Sequence, residues 1–203
     1  MSRSCQGIQP VLFSLRTLTA VILLGLTAAS CARSPQVVFL SPQLAGPPDR
    51  IAEQRSIELR LRDERSSNVI GSRGGLYAET STITTEDDIS PGLTELLTEK
   101  LEQQGFTVVA PGSGGDVELS VELQKLTYEM GGSVLTEIKL SSSVGVTCTK
   151  GGDTLTSRYE TNHREEFAAA PDEEKNSELI NMVVGRSLDE MLSDTELRDF
   201  MSE

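Results

Sequence analysis

Apolar and polar residues alternate most regularly over residues 117–124, where Val117, Leu119, Val121 and Leu123 are separated by Glu118, Ser120, Glu122 and Gln124. A period of two marks a strand with one face in a core and the other in water. The phase slips by one before Leu126, Tyr128 and Met130, which predicts a bulge near Gln124 and Lys125. Gly131 and Gly132 then form a turn, and Ile138, Leu140, Val144, Val146 and Cys148 define a returning strand. A second glycine turn at Gly151 and Gly152 leads to Leu155, Tyr159 and Phe167, a third strand of the same meander. Upstream, Ile57, Leu59 and Leu61 alternate with Glu58, Arg60 and Arg62 in another half-buried strand. Residues 64–75 read as a polar, glycine-rich loop around Val69 and Ile70, residues 76–85 as a weaker strand and 106–109 as a short one.

Two stretches switch to the helical period. Leu93, Leu96, Leu97 and Leu101 form one stripe, with Ser90 as the expected N-cap, Pro91 in the first turn and Gly105 as the stop. A longer stripe of Leu179, Ile180, Val183, Val184, Leu188, Met191 and Leu192 follows the acidic start at Pro171 and Asp172. A short helix near Leu197, Phe200 and Met201 caps the end. The pattern predicts an α+β domain over 51–203: an antiparallel sheet, a meander of long strands, with two main amphipathic helices packed on one face.

The N-terminal 30 residues are of another kind. Arg3 and Arg16 precede an uncharged apolar core over 17–29, the pattern of a secretory signal peptide. As a helix that core covers about 20 Å of a hydrocarbon layer of roughly 30 Å, too little for a permanent span. Ala28, Ala29 and Ser30 stand directly before Cys31, which resembles the bacterial lipobox, where the thiol receives a diacylglyceryl group and becomes the new N-terminus. Ala28 occupies the position where such motifs usually carry Leu. Ordinary signal-peptidase cleavage near Ser30, leaving a free thiol, is the alternative. Residues 31–50, with Pro35, Pro42, Pro47 and Pro48, read as a tether interrupted by a short strand over 36–40.

Charge then narrows the partners. Removal of residues 1–30 takes away Arg3 and Arg16 and no acid, so the formal net charge falls from −13 to −15. Such a chain repels nucleic acid and anionic lipid, so membrane attachment has to come from acyl chains on Cys31. Of Cys5, Cys31 and Cys148, the mature chain keeps one unmodified thiol, and Cys148 shares the phase of the core positions. His163 is the sole histidine, and neither a nucleophile elbow nor a phosphate loop accompanies it. No catalytic residue, metal site or cofactor is therefore expected. A binding or accessory module, facing an envelope protein, is the main functional reading; a hydrolase or small-ligand binder using the region around His163, with Cys148 as its other reactive group, is the alternative.

The order of these pieces resembles the YajG family of bacterial lipoproteins. The resemblance rests on the lipobox, the 37–42 segment Val-Val-Phe-Leu-Ser-Pro, a strand ending in Asp63, Glu64 and Arg65, then Ile70 and Gly71, a helix ending in Gln104, Gly105 and Phe106, and a terminal Asp194, Thr195, Glu196 and Leu197 with Phe200. It implies an acylated protein of the Gram-negative envelope facing the periplasm. Ala32, in place of an Asp linked to inner-membrane retention, implies the outer membrane. Asp63 and Arg65, two apart at a strand end, either pin the next loop or form part of a recognition surface. If acylation anchors the chain, Cys31→Ser should move it from the membrane fraction to the soluble fraction, and the parent should run heavier by mass spectrometry than its mature sequence.

Overall fold

The computed structural model describes residues 34–45, 49–75 and 78–203. The signal segment and Cys31 lie outside these residues. Among them eight strands form one sheet: β1 (Gln36–Val38), β2 (Ser56–Asp63), β3 (Val69–Ser72), β4 (Thr82–Thr85), β5 (Thr107–Val109), β6 (Val117–Gly131), β7 (Thr136–Lys150) and β8 (Asp153–Phe167). The helices are α1 (Ser90–Gln103), α2 (Glu173–Ser193) and α3 (Thr195–Ser202). The architecture is α+β, as the hydropathy pattern requires.

The sheet is mostly antiparallel, but not throughout. Strands β6, β7 and β8 form the predicted meander, and the register of β6 against β7 shifts between Leu123 and Lys125, where the phase slip placed a bulge. Strand β2 instead runs parallel to both β6 and β5, and β1 runs parallel to β4. Parallel neighbours need a crossover, and the segment containing α1 supplies it between β2 and β5. This corrects the wholly antiparallel expectation.

Residues Val69 to Ser72 also depart from the loop reading, since they form β3 beside β6. The glycine that obscured the strand is required by it. A Cβ on Gly71 would collide with the carbonyl oxygen of Tyr128, its register partner, so the two backbones meet only because that side chain is absent. The stretch read as one strand over 76–85 narrows to β4, preceded by a 3-10 turn at Ala78–Thr80.

All three helix starts use aspartate, Asp194 capping α3 by accepting from the Leu197 amide at 2.8 Å. Asp172 caps α2 by accepting from the Lys175 amide at 2.8 Å. At α1 the Asp88 carboxylate accepts from the Ser90 amide at 3.0 Å, so Ser90 becomes the first helical residue and Ile89 takes the cap position without a side-chain bond. Leu93, Leu97 and Leu101 of α1 join Leu179, Ile180, Val183 and Val184 of α2 in one core with Ile57, Leu59, Val117, Leu119, Leu140 and Cys148 of the sheet.

Residues 36–45, read as part of a tether, lie against the domain. Gln36 Nε2 donates to the Glu173 carbonyl at 2.7 Å, and its Oε1 accepts from Asn176 Nδ2 at 3.1 Å. The Leu40 amide donates to the Glu86 carboxylate at 3.1 Å, and those of Ser41 and Ala45 to Asn181 and Asp189 of α2 at 2.7 and 3.0 Å. These bonds satisfy backbone groups that a three-residue edge strand leaves open. Gly71→Ala should lower stability by about 1–3 kcal/mol through overpacking at the β3–β6 approach, measured by urea unfolding. Gly131→Ala, where nothing lies within 4 Å of an added Cβ, should leave the midpoint unchanged.

Candidate binding surface

Side chains of the core phase on β6, β7 and β8 are buried or half-buried, and the opposite phase makes a polar surface. The register aligns it in rows. Arg60, Ser120, Thr147 and Thr156 lie side by side, then Arg62, Glu122, Gly145 and Arg158, and beyond the bulge Lys125, Ser143 and Glu160, then Thr127, Ser141 and Asn162. Strand β7 contributes only small residues to this face between Ser141 and Thr149. Longer side chains of its neighbours stand on either side, so a shallow trough runs along the strand.

The bulge divides the trough. Gln124, the extra residue, folds across Gly145: a Cβ there would meet the Gln124 amide group. Its Nε2 donates to Glu122 Oε2 at 3.1 Å, while Gln124 Oε1 and the neighbouring Ser143 Oγ are buried with no partner among the described residues. On one side lies a hollow of about 160 Å³ bordered by Arg60, Arg62, Ser120 and Thr147. On the other lies one of about 290 Å³ bordered by Lys125, Thr127, Ser141 and Asn162. Both are open and lined by polar groups.

Charge on this face is mixed. Arg60 pairs with the buried Glu58 at 2.5 Å, and Glu137 pairs with Lys139 at 2.9 Å and with Arg164. Hydrogen bonds to Glu58 from the Gly112 backbone, then from Arg60, hold its carboxyl below the usual range. Six of the chain's basic residues, Arg60, Arg62, Lys125, Lys139, Arg158 and Arg164, point to this side of an acidic protein. The outward phase was visible in the sequence as the polar half of each alternation, but its assembly into one face depends on the register.

Asp63 and Arg65 come together at the end of β2. Arg65 Nε and Nη2 donate to the two Asp63 oxygens at 2.8 and 2.6 Å, and Nη2 also donates to Thr85 Oγ1 at 2.9 Å. The Arg65 side chain is 4 % exposed and that of Asp63 25 %, so the guanidinium is turned inwards and joins the loop after β2 to β4. Burial raises the Asp63 carboxyl, but the Arg65 bonds outweigh it and leave the group below its ordinary 3.8.

Cys148 and His163 do not converge. Cys148 pairs in register with Leu155 and His163 with Leu140, which places them eight residues apart along β8, about 26 Å at strand rise. Cys148 is fully buried, and burial pushes its thiol up to about 11, so it stays protonated at neutral pH. His163 Nε2 lies 3.2 Å from Glu165 Oε2, and among the described residues no Ser, Thr or Cys hydrogen-bonds the imidazole. Among the described residues no group of three His, Cys, Asp or Glu side chains is placed to hold a metal ion, and no helix is long and apolar enough to cross a membrane.

A carboxylate held below its ordinary value stabilises the fold above that value, and the contribution disappears as pH falls through the lower, folded one. Asp63→Asn should therefore be less stable than the parent at pH 7, and the gap between their thermal midpoints should close below about pH 4.

Comparison with known proteins follows the same outline. The chain resembles two Escherichia coli proteins described as uncharacterized lipoprotein YajG, one from strain K12, each at 21% identity over 178 residues, covering 86% of this chain and 91% of theirs. Among solved structures, a Xanthomonas campestris protein of the DUF330 family shares the fold with a TM-score of 0.56 at 10% identity, over 81% of this chain and 97% of that one. The family described as uncharacterized lipoprotein matches residues 42–202. Agreement over that span, with the N-terminal pattern that precedes it, makes this chain a member of the uncharacterized lipoprotein family to which its YajG resemblance pointed.

Proposed function

We propose that the protein is exported, acylated on Cys31 and anchored in the outer membrane facing the periplasm, where its domain is a non-catalytic binding or accessory module. In this reading residues 1–30 are removed, the lipidated N-terminus leads into residues 31–50, and 51–203 form the working domain. Helices α1 and α2 cover one face of the sheet, and the opposite, polar face meets an envelope protein. Contacts of α2 with β7 and β8, and of α1 with β2 and β5, support that placement of the helices. Membership of a lipoprotein family supports the anchor. Ala32 after the modified cysteine favours the outer membrane.

The observation that carries the binding role is the trough along β7. Small residues between long polar ones leave room, on either side of Gln124, for a loop or side chains of a partner, and the hydroxyls of Ser120 and Thr147 in one hollow and of Thr127 and Ser141 in the other offer hydrogen-bonding groups. Arg62 and Lys125, exposed on either side of the bulge, suit acidic groups on that partner. Asp63 and Arg65 act by holding the loop after β2 in place. Catalysis is not required, since the two side chains best suited to it stand far apart.

A photocrosslinking residue at Thr156 or Asn162, in intact cells, should trap a specific envelope protein, whereas the same residue at Glu174 on α2 should not. Arg62→Glu with Lys125→Glu should cut the adduct several-fold. The reading fails if the face yields no specific adduct, or if Cys148→Ala with His163→Ala abolishes function in a folded protein.

A further inference from the structure

We infer that the β6–β7 turn is a second membrane contact, with Val134 and Leu135 seated in the lipid surface beside the acylated N-terminus. This rests on the acylation of Cys31 proposed above. Val134 is 91 % exposed and Leu135 45 %; among the described residues the other exposed large apolar side chains are Val37, Phe39 and Val69, none of them on this turn. The turn holds them outward. Gly132 has φ 96°, and a Cβ there would collide with the Leu135 carbonyl, so the loop closes tightly on itself and leaves the two aliphatic side chains at its tip.

The sheet register places this tip at the end where the described chain begins. Gln36, Ile83, Gly71, Tyr128 and Leu140 form one row across β1, β4, β3, β6 and β7. Strand β1 is parallel to β4, β4 antiparallel to β3, and β3 parallel to β6, so β1 and β6 run in opposite directions. The chain before Gln36 therefore lies on the same side of that row as the chain after Tyr128. Arg73, just past the end of β3, donates to the Ser34 carbonyl at 3.2 Å and pairs with Glu173 at 2.6 Å, which fixes Ser34 at this end. Cys31 is three residues upstream, a reach of at most about 10 Å. An acyl group on it draws this end of the sheet to the bilayer. The β7–β8 turn is at the far end of the 15-residue β7, about 50 Å away.

Chemistry favours lipid over a protein partner at the tip. Two aliphatic side chains on a narrow turn present far less area than the roughly 1,000 Å² that a stable protein interface buries, but they fit the headgroup boundary, where apolar groups partition without a complementary surface. The acid nearest the turn on β7, Glu137, is paired with Lys139 and Arg164, which limits repulsion from anionic headgroups.

The chain contains no tryptophan, so a single introduced indole reports its own surroundings. Val134→Trp, expressed from the complete sequence in a Gram-negative host and purified in detergent from whole cells, would be reconstituted into vesicles of phosphatidylethanolamine and phosphatidylglycerol, with Asp153→Trp at the opposite turn as the control. Val134→Trp should emit at shorter wavelength on vesicle binding and lose about half its intensity when the lipids carry bromine on their acyl chains, while Asp153→Trp should change in neither respect. Vesicle flotation separates the two levels of the inference. A protein that floats while its Val134→Trp emission stays water-like and unquenched overturns the tip contact alone. A protein that does not float overturns the acyl anchor and the tip contact with it.

Discussion

Strand β6 carries the fold because its two edges are occupied differently. One edge pairs with β7 over almost its whole length, whereas the other pairs first with β2 and then, past the bulge, with β3. A strand of 15 residues with an uninterrupted twist would carry two separate neighbours poorly on one edge. The extra residue at Gln124 bends β6 between them and reverses which residues face the core, so that Val117, Leu119, Val121 and Leu123 before it and Leu126 and Tyr128 after it are all buried. Gly71 completes the handover by letting β3 come within hydrogen-bonding range of Tyr128. The same bulge sets Gln124 across the outer face, so one irregularity shapes both the core and the trough.

The N-terminal strand is held by polar contacts as well as by the burial of Val38 and Leu40. Tyr128 Oη donates to Asn176 Oδ1 at 2.8 Å, and Asn176 donates to Gln36, so a buried chain of hydrogen bonds runs from the central strand through α2 to the edge strand. Each member is buried, and breaking the chain would leave unpaired groups without access to water. This has a mechanical consequence for an anchored protein. Whatever pulls on the chain before Ser34 pulls on β1, and β1 is tied to both the sheet and the long helix.

Several acidic and thiol side chains serve the fold itself. The acids before α1 are committed: Glu86 accepts from Leu40, Asp87 from Asn68 and Asp88 from Ser90. Asp63 and Arg65 close a loop, and Cys148 fills the core. The polar trough is not legible in the sequence, because Ser141, Ser143, Gly145 and Thr147 carry no motif one at a time. They become a surface only when three strands are aligned in register. The β3 strand is hidden for a related reason, since Gly71 reads as a loop residue until its close neighbour Tyr128 is known.

By itself the sequence determined the elements whose signal is local: the three long strands and their glycine turns, the bulge, and both amphipathic helices with the acidic start of α2. These follow from periodicity, backbone preference and short motifs, which act over a few residues. Tertiary structure alone decided that β2 runs parallel to β6, that residues 36–45 lie against α2, and that Arg65 points inwards. Each of these depends on which distant segments meet. A pairing between residues more than forty positions apart is selected by the packing of the whole domain, and no single stretch of the chain encodes it.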